Sequence, residues 1–219
     1  EHFQVHQLPL DFRPRYNIAP GQQVLAILGP WGAHEAAMLR WGLIPAWAKE
    51  SVIGYRTINA RAETAHRLPA FRAAFRARRC LIPADGFYEW RRDQEGKTPF
   101  WIHLAGEQPF ALAGLWERWA PPDGGPPLDT FTILTTEANE LVRQIHTRMP
   151  VILAPTVYAQ WLDPAVQDPA ALQPLLRPYP AQEMRAYQVS RLVNSPKNDS
   201  PACLAAVEPG PSGPLVVAR

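Results

Sequence analysis

Cysteine is scarce: Cys80 and Cys203 are the only two in 219 residues, too few for a disulfide framework. No run approaches the ~20 consecutive apolar residues of a membrane span. The first residues lack the basic and apolar regions of a secretory signal. The six histidines form no HExxH and no Cys-His spacing, so no metal site is predicted. There is no G-x-S-x-G, no phosphate-cradling glycine loop and no dinucleotide fingerprint, and no cofactor is predicted. Together these absences predict an intracellular, cytoplasmic protein in a reducing setting. The chain also lacks a methionine at its first position, which is Glu1, and its natural start is expected to lie upstream.

What is present suits a folded domain. Apolar residues make up 47% and charged residues 19%, a globular balance. A chain of this length hides roughly 70% of its unfolded surface. The formal charge of +2 is too small to imply nucleic-acid binding, but its distribution is uneven. Between Tyr55 and Cys80 stand seven arginines and one acid, Glu63. That excess suits an anionic backbone; a solvated basic helix face would show it equally.

Proline, at 25 residues, punctuates the whole chain and predicts short elements joined by many turns. Strands are predicted over 22–28, 36–45, 80–90, 99–105, 109–119, 129–136, 149–153 and 184–190, from β-branched and aromatic runs bounded by turn signals. The clearest helix is predicted over 68–79, with Leu68, Phe71, Ala74, Phe75 and Arg78 on one stripe and Arg72, Arg76 and Arg79 on a basic flank. Thr136 is a candidate cap for a short helix beginning at Glu137. Short helices are also predicted near 156–162 and 169–176. The fold class is α+β: one domain over 1–208, a curled, largely antiparallel, barrel-like sheet decorated by short helices. Residues 209–219 are predicted to be a poorly ordered tail.

Three stretches place polar groups in unusual settings. "TINARAETAHR" puts Asn59, Arg61 and Glu63 at alternating positions between alanines, on one face if extended. "ADGFYEW" places Glu89 on the same strand face as Phe87. A carboxylate in such apolar surroundings has its pKa pushed up and exchanges protons near neutrality; an edge-strand glutamate in water, or one paired with arginine, fits the same pattern. "IHTRMP" offers His146, a proton carrier or a structural histidine, beside Arg148. These groups suit proton transfer and the holding of an anion, but no nucleophile accompanies them. Both cysteines read as structural, because a reactive thiol needs exposure and an electropositive neighbourhood.

The ordered motifs "RYNIAPGQ", "RWGLIPAWAK", "INARAET", "FRAAFRARRCLIPADGFYEW", "FALAGLWERW", "FTILTTEAN", "IHTRMPVIL" and "VNSPKND" closely resemble the SRAP family, the SOS-response-associated peptidases or abasic site processing proteins. The resemblance runs from about Arg15 to Asp199. It implies binding of single-stranded DNA that contains an abasic site. It also implies covalent capture of that site by a cysteine following the initiator methionine, as a thiazolidine, with associated lyase activity and removal of the methionine. By resemblance Asn59, Glu89 and His146 are the catalytic positions: Asn59 to hydrogen-bond the cysteine or the opened sugar, Glu89 to position or deprotonate the α-amine, His146 to shuttle protons. Arg61 and Arg148 correspond to phosphate-holding arginines, and Trp47, Asn17 and Pro20 to the DNA-binding surface. Glu63 is expected to pair with an arginine or to cap a helix. A monomer is expected. The family's Met-Cys-Gly-Arg opening is not in this chain, which begins "EHFQVHQLPL"; a missing leader is the expectation. A non-covalent single-strand-binding module and a peptidase acting on other proteins are the alternative functions.

Overall fold

The structure is a computed structural model and describes residues 2–5, 7–10, 12–94 (Asp93 for its backbone only), 96–207 and 215. Alternating apolar residues shape its main sheet. In β1 (Gln23–Leu28) Val24, Ala26 and Leu28 face one core cluster and Ile27 the other. In β4 (Arg79–Ala84) Cys80 and Ile82 face the first and Leu81 the second. β7 (Phe110–Trp119) and β8 (Leu128–Glu137) divide their side chains in the same way. Strands apolar on both faces need cover on both sides.

Five strands close on themselves. β4 pairs antiparallel with β1 and β7, β1 with β2 (Glu35–Trp41), and β7 with β8; β2 then meets β8 in parallel and completes a barrel-like ring. β3 (Asn59–Arg61) runs parallel to β8 further along the edge that β2 meets, and the short strands β9 (Arg148–Pro150) and β10 (Ile152–Leu153) attach to β8 and β7. A separate antiparallel sheet has the order β11–β6–β5, formed by β5 (Gly86–Asp93), β6 (Gly96–Leu104) and β11 (Met184–Gln188). Phe100, Ile102 and Leu104 of β6 fix this second sheet to the barrel by joining the first core cluster. The short helices are α1 (Ala62–Ala65), α2 (Arg72–Ala77), α3 (Glu140–Arg143), α4 (Tyr158–Leu162) and α5 (Pro169–Leu172). The α+β, barrel-like architecture is the one expected.

Several local expectations need correction. The continuous strand expected over 80–90 is two strands in two sheets, broken at Asp85. Gly86 opens the second, where a Cβ would lie 2.6 Å from the Ile102 carbonyl and within the Trp101 ring. The strand expected over 36–45 ends at Trp41. The helix expected over 68–79 is the six-residue α2, and Arg79 does not lie on its basic flank. Arg79 is 3% exposed and begins β4. Its guanidinium donates to the carbonyls of Phe75 (2.8 Å), Arg76 (2.5 Å), Trp161 (2.5 Å) and Asp163, so it satisfies the carbonyls left over at the ends of α2 and α4. Burial lowers its pKa to about 10, so it stays charged at neutral pH. Thr136 belongs to β8, and the cap of α3 is Asn139, whose side chain accepts from the Val142 N–H at 2.9 Å. Of the expected tail only Leu215 is described, packed against the first core cluster; the rest lies outside the described residues. No helix among the described residues is long and apolar enough to cross a membrane.

Candidate active site and nucleic-acid interface

A cavity of about 960 Å³ opens between the first-cluster face of the barrel and the β11–β6–β5 sheet. Asn59, Arg61, Glu89, His146 and Arg148 all line it, as do Asn17 and Pro20. Three elements at one end of the barrel bring the polar groups together. β8 lies between β3 and β9, with Arg61 opposite Thr135 on one side and Arg148 opposite Glu137 on the other. β5 approaches from the second sheet, where it is the edge strand.

The polar triplet Asn59, Arg61 and Glu63 keeps its shared exposure, but not as one strand. Asn59 and Arg61 lie on β3 and Glu63 lies in α1, while Ala60 and Ala62 between them are buried. Glu63 meets Arg148 in a two-pronged ion pair (2.8 and 2.9 Å), the arginine partnership expected of it. That hydrogen bond leads the causes holding the Glu63 carboxyl below its ordinary value. Arg148 also donates to the Thr135 carbonyl at 2.6 Å, so its fork is already occupied. Arg61 forms no ion pair with any described residue.

Glu89 Oε1 lies 3.9 Å from His146 Nδ1, and the Glu89 side chain is 26% exposed. Burial raises the Glu89 pKa; the His146 imidazole and the Trp90 N–H, 3.3 Å from Oε2, pull in the other direction without cancelling the rise. At this distance the attraction of a full imidazolium ranges from about 1 kcal/mol in water to about 4 at an effective dielectric of 20. With His146 half exposed it falls toward the lower figure. His146 is held through backbone. The Arg148 N–H donates to Nδ1 at 3.1 Å when that nitrogen is bare, and the Arg148 carbonyl lies at 3.2 Å to accept when it is protonated. The ring thus keeps its place in both protonation states, as a proton shuttle needs.

The other expected residues divide. Asn17 is 4% exposed, and its amide donates to the carbonyls of Val193, Ser195 and Asn198. The amide NH2 is engaged inside the protein, where it supports the cavity wall that Asn17 also lines. Pro20 lies on the exposed rim. Trp47 is 62% exposed and stands outside the cavity, with its indole N–H 3.4 Å from the Pro69 carbonyl. Both cysteines are fully buried, and burial pushes the Cys80 thiol up. Neither lines the cavity. Sequence reading missed Trp41 and Trp90 as wall residues, although both stand in quoted motifs. Trp41 stacks on Phe131 and donates to the Ile58 carbonyl at 2.8 Å.

With this geometry in place, comparison with known proteins is decisive. The family model described as "SOS response associated peptidase (SRAP)" matches residues 1–196. The chain belongs to the SRAP family. It is 53% identical over 192 residues to the abasic site processing protein YoqW of Bacillus subtilis strain 168, covering 87% of this chain and 85% of YoqW. It is 34% identical over 230 residues to the abasic site processing protein HMCES of Gallus gallus, covering 91% of this chain and 68% of HMCES. A crystal structure of a Bacteroides thetaiotaomicron protein superposes with a TM-score of 0.76 at 32% identity, over 89% of this chain and 82% of that one. SRAP relatives thus share both the sequence and the barrel that positions the cavity.

Proposed function

We propose that this SRAP chain recognises abasic sites in single-stranded DNA and captures the ring-opened sugar covalently. The observation that carries this reading is the Glu89–His146 pair, 3.9 Å apart, in one cavity with Asn59 and Arg61. An abasic sugar in its open form is an aldehyde. A 1,2-aminothiol condenses with it in two steps: the amine adds and water leaves, giving a Schiff base, and the thiol then adds to the imine carbon to close a thiazolidine. The first step needs a base for the ammonium proton and an acid for the departing water. A carboxyl whose pKa burial raises, beside an imidazole, offers both a proton donor and a proton acceptor. Asn59 offers donor and acceptor to the opened sugar, and Arg61 offers an uncommitted cation to a flanking phosphate. Strand cleavage by elimination from the Schiff base, and hydrolytic release of an initiator methionine, draw on the same proton-transfer pair.

The nucleophile that the family resemblance implies, an N-terminal cysteine, is not among the 219 residues. Cys80 and Cys203 are buried and do not substitute for it. That burial favours a second reading for the chain taken alone: a non-covalent sensor of the same DNA. Intact-mass analysis of the native protein, before and after incubation with abasic single-stranded DNA, separates the two. Covalent capture predicts a mass increase equal to the DNA less one water, stable to denaturation, together with an N-terminal cysteine. Binding without a mass change supports the sensor, and no binding at all overturns both.

A further inference from the structure

A second cavity, of about 500 Å³, is lined by Glu89, Trp90, Arg92, Lys97, His146 and Asn194. Glu89, Trp90, His146 and Asn194 also line the main cavity; Arg92 and Lys97 do not, and Asn59 and Arg61 line only the main one. The Glu89–His146 pair therefore stands between two chambers, each with its own cations. Glu89 and Trp90 are successive residues whose side chains leave β5 on opposite faces. Both reach the second cavity because it runs along the free edge of that strand, the outermost of its sheet.

Arg92 and Lys97 are directly opposite each other in the β5–β6 register. Like charges across an antiparallel pair oppose each other and weaken it. Neither forms an ion pair with any described residue, and among the described residues Glu89 is the only acid that lines the cavity. Trp90 forms a fixed wall, its indole N–H held by Asn194 Oδ1 at 2.8 Å. Two facing cations with no ion pair among the described residues, beside a proton-transfer pair, suit an anion held between them.

We propose that this second cavity is a phosphodiester subsite, in which Arg92 and Lys97 hold one phosphate of the bound strand. That phosphate flanks the abasic sugar on the side opposite the phosphate at Arg61. The inference rests on the DNA reading above and extends it: the strand crosses the Glu89–His146 pair with a cation site on each side, which fixes the sugar over the reacting groups.

The test uses single-stranded DNA carrying a tetrahydrofuran abasic analogue, which has no aldehyde and reports binding alone. Wild type and the double variant Arg92→Gln/Lys97→Gln are titrated across a salt series. The variant is expected to bind more weakly, with a slope of log affinity against log salt shallower by about 0.7, because it leaves one phosphate unneutralised. Its deficit then shrinks about 2.5-fold between about 50 and about 200 mM salt. An uncharged methylphosphonate linkage on one side of the analogue should cost the wild type the same amount and the double variant nothing more. Equal slopes, or losses that simply add, overturn the subsite while leaving the DNA reading intact. Failure of the wild type to bind overturns both. The variant should melt at or above the wild-type temperature, since it loses a repulsion. A lower melting point with an unchanged slope would make the pair structural and end the proposal.

Discussion

Glu89 is the residue at which chemistry and stability oppose each other. Burial lifts its pKa above the ordinary 4.5 despite the His146 imidazole. The folded protein therefore holds this proton more tightly than the unfolded chain does. Stability contributed at this position is intact below pH 4.5 and falls as pH rises through the higher folded value. Glu89→Gln is isosteric and never ionises. It is expected to raise the melting temperature at neutral pH, with the gap closing in acid, and to slow adduct formation by about 10²-fold or more. Melting curves from pH 4 to 8 beside denaturing-gel time courses check both; a variant that is less stable at pH 7, or that reacts at the wild-type rate, would refute the assignment. Arg61 makes a different prediction because its partner is diffuse. Arg61→Ala should weaken single-strand binding most at low salt, with the loss fading as salt rises and a slope smaller by about 0.7. A loss that does not change with salt would mean that Arg61 touches no phosphate.

At the scale of elements, the site depends on a backbone contact that leaves little trace in hydrophobic patterning. Gly42 follows β2 with a φ of +125°, and its Cβ would lie 2.6 Å from the Gly54 carbonyl, while a Cβ on Gly54 would lie 2.9 Å from the Gly42 carbonyl. Thr57 secures the same contact, its hydroxyl donating to the carbonyls of Leu43 (2.5 Å) and Ile53 (3.0 Å). Two residues later Asn59 opens β3. Gly54→Ala forces the 3-10 turn Ser51–Arg56 away from Gly42 and is expected to cost about 1–3 kcal/mol. It should also speed hydrogen exchange at Thr57 and weaken DNA binding through Asn59; wild-type exchange at Thr57 would show that the contact does not position the strand. Local alternation made most strands and the polar face of Asn59 and Arg61 legible in the sequence. It left the division of 80–90 between two sheets unread, because sheet membership is set by distant partners such as Trp101. Arg79 was misread for a related reason: one arginine among many is exposed by default, and only the packed ends of α2 and α4 show why this one is inside.

Across the whole molecule, the cavity wall is made by joining residues 15–17 to residues 193–199, and the motif "VNSPKND" acquires its meaning there. Asp199 accepts from the backbone N–H groups of Tyr16 (2.6 Å) and Asn17 (3.0 Å) and pairs with the Arg15 guanidinium. The Asn17 amide returns to the carbonyls of Val193, Ser195 and Asn198. Tyr16, Asn17, Val193, Asn194 and Pro196 all line the cavity, so this clasp shapes the wall facing the Glu89–His146 pair. The resemblance marked Asn17 for the DNA-binding surface, but no local pattern showed that its amide would be engaged by carbonyls so distant in the chain. Burial pushes the Asp199 carboxyl up, and the Tyr16 and Asn17 N–H groups with the Arg15 guanidinium outweigh it, leaving the pKa below the ordinary 3.8. The stability it supplies is present above pH 3.8 and is lost as pH falls through the lower folded value. Asp199→Ala strands two backbone donors and a part-buried cation, and should cost about 2 kcal/mol or more at pH 7. The deficit should disappear in strong acid, where the wild-type carboxylate is protonated as well. Because the wall loosens along with the clasp, abasic-DNA affinity should fall although Asp199 does not line the cavity. Unfolding curves from pH 2 to 7, paired with binding at pH 7, test the two effects together: a deficit that persists in acid would mean that the clasp does not depend on the ionised carboxylate.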